Sequence, residues 1–420
     1  MNRFEGYGRT EVTLAGELIS IESHLAAILA SLPQPEPIEL PLIDALGMTL
    51  IDDFVSQIDL PAFANSAMDG FAVVAADLAE ASLETPIALA LSSQVMAGDR
   101  KLPVVSSGGT VGIMTGAPVP PGANAVVAVE TTIIDGSSVS FIQPVGVGSN
   151  IRHIGEDLFA GKRLAFAGKR LTPARVAVLA AAGITTIRCV RPPRVVILSS
   201  GDELVPSAEI PRPGQVRDAN GPMLSALVKA AGGVPFFAGI VRDDREALVR
   251  AFDMHCGNAD LFISTGGASA GIRDLIPEAI ASLGESVSVK VAMKPGMPQV
   301  RGRIGQVPVI GLPGNPVSSF VSFELFVRPA IRALQGQKDL ARPQVTATAA
   351  EVLKSPPNKR GFIRVALAHR NGRWVATPTG SQHSHLLSSI AGADGLAEVP
   401  ESVTQIAAGS DVRVHLLDES

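Results

Sequence analysis

The stretch LFISTGGASAGIRD, from Leu261 to Asp274, decides how the central part of this chain folds. Leu261 to Ile263 form a short apolar run typical of a buried strand, and the glycines that follow let the backbone turn tightly. Such a turn brings backbone N–H groups up to an anion, and Ile276 to Leu283 predict a helix whose N-terminus attracts the same charge. The pattern predicts a phosphate cradle, although turns of this kind also occur for purely structural reasons.

A second turn of the same kind lies in VPVIGLPGNPVSSFVSFELF, from Val307 to Phe326. Val307 to Gly311 predict a strand, and Pro316 suits the first turn of the next helix because its missing N–H costs nothing there. Between the two turns, Lys294 lies beside a proline and a glycine in what we expect to be a rigid loop. A fixed ammonium close to two anion cradles favours a polyanionic ligand.

Strand and helix patterns alternate from residue 191 to residue 337, which predicts a parallel sheet. In such sheets, ligands bind outside the carboxyl ends of the strands. The predicted strand ends carry several carboxylates. Glu203, Asp243 and Asp274 are candidate ligands for magnesium, which prefers oxygen donors and bridges phosphate oxygens. Asp202 and Asp244 fit equally well as helix caps.

The rest of the chain predicts three further parts around this domain. Residues 33–154 are rich in short β-branched runs and predict a mostly antiparallel β-rich domain, and residues 338–420 predict a small C-terminal β-domain. Leu14 to Leu32 predict an opening helix. A second helix is predicted with Thr172 as N-cap, Pro173 at its first position and Gly183 as terminator. We expect residues 1–32 and 155–190 to pack together as a helical connecting stalk, which gives an α/β multidomain fold.

Composition restricts the function. The net charge is −5 and no lysine- or arginine-rich run is present, which argues against a general nucleic-acid partner. The longest uncharged run, 304–323, contains three prolines, so no membrane span is expected. The N-terminus lacks the apolar segment of a secretory signal. The only cysteines, Cys189 and Cys256, are too few for a disulfide framework, which favours a reducing cytoplasm.

Seven motifs occur in order along the chain: SAMDG (66–70), MTGAPVPPGANAVV (114–127), GED (155–157), SSGDEL (199–204), TGGASAG (265–271) with Asp274, KPG (294–296) and GLPGNPVS (311–318). This ordered set resembles the molybdopterin molybdenumtransferase family, the enzymes of the last step of molybdenum cofactor synthesis, nearly from end to end. Two residues depart from the family pattern. Met297 stands where many relatives have a second lysine, and Phe71 stands where many have tyrosine.

The resemblance implies that the 191–337 domain binds molybdopterin and that the protein inserts molybdate into adenylated molybdopterin, releasing AMP, with Mg²⁺ as cofactor. It also implies a homodimer whose site lies between the β-rich domain of one subunit and the parallel-sheet domain of the other. The matching catalytic residues are Asp274, Glu203, Asp243, Asp69, Thr115 and Asp157, of which Glu203, Asp243 and Asp274 would bind the metal. The matching substrate-binding residues are Gly266, Gly267, Ser269, Gly271, Lys294, Pro313, Pro316, Ser318, Arg364 and Ser384.

Two alternatives belong to other functional classes. A non-catalytic carrier or scaffold of the cofactor would keep the anion cradles, and Met297 favours it because a charge that could hold molybdate is missing. A nicotinamide-dependent dehydrogenase would need a G-x-G-x-x-G turn after an early strand, followed by a ribose-binding acid. The chain has no such turn at that place.

Overall fold

The computed structural model describes residues 9–12, 17–266 and 275–417 of the 420-residue chain. In its first half the helices and strands are β1 (Arg9–Val12), β2 (Leu18–Ile19), α1 (Ile21–Ser31), β3 (Pro37–Pro41), β4 (Thr49–Leu50), β5 (Phe54–Val55), β6 (Asn65–Ser66), β7 (Gly70–Val73), β8 (Ile87–Val95), β9 (Gly109–Ile113), β10 (Ala125–Ala128), β11 (Thr132–Asp135), β12 (Ser138–Phe141), β13 (Ile151–Arg152), β14 (Arg163–Ala165), α2 (Pro173–Ala181) and β15 (Thr186–Val190).

The second half continues with β16 (Arg194–Ser200), β17 (Leu204–Val205), β18 (Val216–Arg217), α3 (Asn220–Ala230), β19 (Val234–Val241), α4 (Arg245–Cys256), β20 (Leu261–Thr265), α5 (Leu275–Leu283), β21 (Gly284–Val291), β22 (Met293–Lys294), β23 (Pro298–Ile304) and β24 (Val307–Leu312). It ends with α6 (Pro316–Ser322), a π-helical turn (Phe323–Val327), α7 (Arg328–Leu334), β25 (Gln344–Ala349), β26 (Leu353–Lys354), β27 (Arg360–Arg370), β28 (Arg373–Pro378), α8 (Ser388–Ala391), β29 (Gly395–Val399), β30 (Gln405–Ile406) and β31 (Asp411–Leu416).

The largest sheet has the order β1-β21-β23-β24-β20-β16-β19, with β2 also paired to β21. β24, β20, β16 and β19 are mutually parallel, whereas β23 is antiparallel to both of its neighbours. The predicted parallel sheet is therefore parallel over four strands and mixed beyond them. The reason is local: only Gly305 and Gln306 separate β23 from β24, and a two-residue connection can join only antiparallel strands.

Helices cover both faces of this sheet, because alternate residues of its strands point to opposite sides. Val195 and Ile197 lie in one buried cluster with residues of α3, α6 and α7, whereas Val196 and Leu198 lie in another cluster with residues of α4 and α5. Fully burying each of these side chains stabilises the fold by roughly 1.5–3 kcal/mol. The sheet and its two helical layers form the α/β unit, and the carboxyl ends of its parallel strands lie at one edge.

The predicted helical stalk is corrected by the packing of its two helices. α1 buries Ile21 and Ile28 in the core of the α/β unit, whereas α2 buries Leu179 in a separate cluster with Leu50 and Ile187. Residues 155–190 also contain the strands β14 and β15, which pair with strands from the 33–55 region. Both helices exist, but an apolar helix face does not specify its partner, so the expected pairing was wrong.

Residues 65–152 contain a six-stranded sheet of the order β10-β7-β9-β8-β12-β11, with its own buried clusters, which we call the β-rich unit. Its pairings are antiparallel except for β8 with β9, as predicted for a mostly antiparallel domain. The strands from β25 to β31, residues 344–416, form what we call the C-terminal unit. They contribute most of a second six-stranded sheet, in which β27 pairs with both β28 and β29. β22 joins this second sheet through parallel pairing with β27, so the Lys294 loop is attached to the C-terminal unit.

Several local predictions are confirmed. Thr172 caps α2, its hydroxyl accepting a hydrogen bond from the N–H of Arg175, and Pro173 begins the helix. Gly183 adopts a φ of +81°, the conformation that ends helices. α1 begins at Ile21, later than predicted, with Ser20 as its N-cap. Among the described residues, no helix is long and apolar enough to cross a membrane.

Candidate active site

The two glycine turns meet at the carboxyl edge of the parallel strands. Gly266 follows β20 with a φ of +93°, and a Cβ atom there would lie only 2.0 Å from the carbonyl oxygen of Ser200 at the end of β16. A Cβ atom on Gly314, in the turn after β24, would lie 3.4 Å from the Cα atom of Gly266. Only glycine fits at position 266, and Gly266, where the first turn begins, packs against Gly314 of the second turn.

Buried polar side chains below the turns hold them together. The Nδ2 group of Asn220, at the start of α3, donates hydrogen bonds to Thr265 Oγ1 at 2.9 Å and to the Gly314 carbonyl at 2.7 Å. Ser319 Oγ donates to the carbonyl of Pro313 at 2.9 Å and lies 3.1 Å from Thr265 Oγ1. Asn220 therefore connects the two turns. Sequence reasoning missed this residue, whose only signal is its place at the start of a helix in the alternating pattern.

The carboxylates lie along the same edge. Asp243, just after β19, accepts a hydrogen bond from Ser200 Oγ at 2.6 Å. The carboxylate of Glu203 folds back over Gly201, where an added Cβ would meet it at 2.6 Å. Glu203 and Asp243, both predicted metal ligands, therefore follow the adjacent strands β16 and β19 at the same edge of the sheet. Asp274 lies outside the described residues, and no group of three metal-binding side chains occurs within residues 17–266 and 275–417.

The neighbouring acids have structural roles. Asp244 is the N-cap of α4, where its carboxylate accepts a hydrogen bond from Ala247 N at 2.8 Å. Asp202 accepts one from Asp243 N at 3.2 Å, which ties the ends of β16 and β19 together. Capping is therefore the role of Asp244, while Asp202 does not cap a helix.

Lys294 lies at the junction with the C-terminal unit. Its side chain is exposed, and its residue pairs with Gly361 of β27. It lines a cavity of about 150 Å³ together with Arg364 and His383. Arg364 is fully buried, and its guanidinium donates to Ser389 Oγ at 3.0 Å and to the Ser381 carbonyl at 3.2 Å. Burial lowers the pKa of Arg364 to about 10. In this arrangement Arg364 orders the 381–383 loop, and it also lines the cavity.

The remaining predicted binding residues surround the second turn. Pro316 begins α6 and Ser318 is buried within it. Ser384 reaches the same helix from the C-terminal unit, since its carbonyl accepts a hydrogen bond from Val317 N at 3.4 Å. The structure therefore brings Pro313, Pro316, Ser318 and Ser384 together beside Gly266. Gly267, Ser269 and Gly271 lie outside the described residues.

Asp69, Thr115 and Asp157 lie elsewhere in the chain. Thr115 donates to Asp69 Oδ1 through its backbone N–H at 2.7 Å and its hydroxyl at 2.8 Å, which holds the pKa of Asp69 below its ordinary value. Asp69 opens onto a groove of about 710 Å³ on the β-rich unit. The side chain of Asp157 is exposed. The buried clusters of the β-rich unit include no residue of the α/β unit, so Asp69 and Thr115 belong to a different part of the subunit from Asp243.

Comparison with known proteins agrees with this geometry. Residues 19–183 match the model "MoeA N-terminal region (domain I and II)", residues 196–333 match "Probable molybdopterin binding domain", and residues 346–417 match "MoeA C-terminal region (domain IV)". Molybdopterin molybdenumtransferase 2 of Mycobacterium tuberculosis is 37% identical over 94% of this chain and 98% of its own length. The chain belongs to the molybdopterin molybdenumtransferase family.

Other members of the molybdopterin molybdenumtransferase family match over nearly the same length. The Haemophilus influenzae enzyme is 32% identical over 95% of this chain and all of its own. The crystal structure of a molybdopterin biosynthesis protein from Pyrococcus horikoshii has a TM-score of 0.81, 31% identity, and coverage of 96% of this chain and 100% of that one. The predicted α/β multidomain fold is thereby confirmed, apart from the helical stalk.

Proposed function

We propose that this protein is a molybdopterin molybdenumtransferase that inserts molybdate into adenylated molybdopterin and releases AMP. The observation that carries the proposal is the packing of Gly314 against Gly266 at the carboxyl ends of the parallel strands. The Gly314 turn also contacts Ser384 through Asn315, and the residue before Ser384, His383, lines the same cavity as Lys294. Backbone N–H groups at such turns bind phosphate oxygens, and a lysine supplies a point charge for an oxyanion. One edge of the sheet thus offers separate places for a pyrophosphate and for a dianion.

In this proposal the pyrophosphate of the substrate lies on the paired turns, which Asn220 holds at a fixed separation. Fixed backbone donors stabilise the charge that develops on phosphate oxygens when the bond between phosphate groups breaks. The buried hydroxyl groups of Thr265 and Ser319 hold the Pro313 carbonyl inward, away from the bound anion. The second turn therefore turns its carbonyl away from a negatively charged ligand.

Magnesium fits the donor set at this edge, because Glu203 and Asp243 are hard oxygen ligands on adjacent strand ends. With Asp274 they would hold the metal that we infer from the family. When bound, the metal would neutralise charge on the pyrophosphate oxygens. Ser200 holds Asp243 through a hydrogen bond of 2.6 Å, so one of its carboxylate oxygens is fixed before any metal arrives.

We further propose that the complete site forms in a homodimer in the cytoplasm. Asp69, Thr115 and Asp157 match family site positions, yet Asp69 and Thr115 lie on the β-rich unit, whose buried clusters are separate from those of the α/β unit. A second copy could present them to the anion turns. The cytoplasmic location is supported by the cysteines, which are both free in the structure.

The test is incubation of the purified protein with adenylated molybdopterin, molybdate and magnesium, following AMP release and cofactor formation. Asp243→Asn should abolish AMP release, because it removes a charge that would face the metal. Asp244→Asn is the matched control, an adjacent carboxylate that caps α4, and should retain turnover. If the unmodified protein binds molybdopterin but gives no turnover, the cofactor carrier is the correct alternative.

A further inference from the structure

The cavity beside Lys294 is lined by several basic side chains. Lys294, Lys354, Arg364 and His383 all line it, and no aspartate or glutamate does so in the part of the chain that the structure describes. Its volume is about 150 Å³, below the roughly 300 Å³ at which pockets for drug-sized ligands begin. It suits one tetrahedral oxyanion.

The backbone of Lys354 is held beside this cavity by the residues on either side of it. It ends β26, where Leu353 is buried and pairs with Ile406. The next residue, Ser355, is buried and donates a backbone hydrogen bond to Thr404 at 2.9 Å. The position of the Lys354 backbone is therefore fixed by the C-terminal unit, while its exposed side chain keeps its ammonium in reach of solvent.

Gly361 lies between the backbone segments that carry the two lysines. A Cβ atom at Gly361 would lie 2.7 Å from Cβ of Ser355, the residue that follows Lys354. Gly361 also pairs in register with Lys294 through β22 and β27. Both segments therefore contact Gly361, and both lysines line the one cavity.

The other candidate cations are less available to a ligand. Arg364 is fully buried and its guanidinium is bound to the 381–383 carbonyls and to Ser389. Met297, at the position where many relatives carry a lysine, is half-buried, and its carbonyl accepts a hydrogen bond from Val291 N at 2.8 Å. Met297 does not line the cavity. A dianion entering the cavity would therefore meet two exposed ammonium groups.

We infer that Lys354 is the second cationic ligand of the tetrahedral oxyanion, and that Lys294 and Lys354 hold it between the α/β and C-terminal units. This inference rests on the proposed function for the identity of the anion as molybdate. A compact dianion gains most from two separate point charges, which lysines provide. Lys354 then supplies the charge that Met297 does not.

The test measures binding of molybdate alone to the intact protein by calorimetry at constant ionic strength. Lys354→Gln should raise the dissociation constant at least tenfold, and Lys354→Arg should restore much of the affinity because it keeps the charge. Lys359→Gln is the matched control, since it removes a lysine from the same loop that does not line the cavity. Its dissociation constant should stay within twofold of that of the unmodified protein. Thermal unfolding of each variant checks that it folds.

Sulfate, a dianion of the same shape, should compete with molybdate in this titration, whereas chloride at equal ionic strength should not. The inference would be overturned if Lys354→Gln and Lys359→Gln weakened molybdate binding equally, or if chloride competed as well as sulfate. Either result would show that Lys354 acts only through the overall charge of the protein. AMP release separates this inference from the proposed function. Turnover with an unchanged molybdate dependence in Lys354→Gln would overturn the role of Lys354 alone. Lys354-dependent molybdate binding without turnover in the unmodified protein would refute the proposed enzyme alone.

Discussion

Gly266→Ala gives the sharpest test of the paired turns, because the structure predicts two separate costs. The first is conformational: Gly266 has a φ of +93°, and an L-residue in the left-handed region costs about 1–2 kcal/mol. The second is steric. The new Cβ would lie 2.0 Å from the Ser200 carbonyl, whereas real Cβ contacts are essentially never shorter than 3.0 Å, so the turn must move by at least about 1 Å.

A displacement of about 1 Å in an element that positions a substrate can lower turnover by roughly 100-fold. Gly98→Ala is the matched control, because Gly98 has the same φ of +93° and an added Cβ there meets nothing within 4 Å. We therefore expect Gly98→Ala to lower the unfolding temperature slightly and leave AMP release intact. Gly266→Ala should lose turnover as well.

The assay is AMP release from adenylated molybdopterin at saturating molybdate, with thermal unfolding of both variants measured alongside. Comparison of the two variants cancels the conformational cost and leaves the steric one. If Gly266→Ala turned over within threefold of Gly98→Ala while remaining folded, the turn would not position the pyrophosphate. The proposed place of the substrate on the strand edge would then be wrong.

Three further outcomes are expected. Asn220→Ala should raise the KM for adenylated molybdopterin, because it removes two buried hydrogen bonds that each contribute about 0.5–1.5 kcal/mol. An unchanged KM in steady-state assays would show that Asn220 does not position the turns. Asp69→Ala and Asp243→Asn subunits, each inactive alone, should regain AMP release when mixed, and no recovery despite confirmed subunit exchange would refute a shared site. Burial alone would raise the pKa of Asp260, but hydrogen bonds from Arg191 and Arg194 hold it at about 2, below the ordinary 3.8. Its stabilising effect is therefore present above about pH 4 and lost as the pH falls towards 2. Asp260→Asn should flatten that part of the acid unfolding curve measured by circular dichroism, and a curve of unchanged steepness would contradict this.

Local signals in the sequence were reliable where the chain determines structure over a few residues. The Thr172 and Pro173 pair predicted the start of α2, since capping and the proline N–H depend only on that turn. The Gly266 and Gly314 turns were predicted for the same reason. The antiparallel direction of β23 does not follow from the alternation of strands and helices, because it depends on the two-residue connection at Gly305 and Gln306.

Partners across the fold were harder to predict. The apolar face of α1 could pack on any apolar surface, and the structure places it on the α/β unit instead of beside α2. Arg364 is predicted to contact molybdate because its position matches the family, and that role stays a prediction. Only the structure shows its guanidinium buried and bound to the 381–383 loop.

The positions that connect separate segments of this protein carry no motif. Asn220 joins two turns through an amide that any sequence pattern would treat as the start of a helix. Gly361 joins β22 to β27 at the register of Lys294, and its lack of a side chain lets Ser355 rest against it. Because the Lys294 loop is paired to the C-terminal unit, a change in that unit can alter the cavity beside Lys294 without altering the Gly266 and Gly314 turns. In the proposed reaction, the pyrophosphate of the substrate and the molybdate are therefore held by different contacts at the same edge of the sheet. Substitutions should change the affinity for one without changing the affinity for the other.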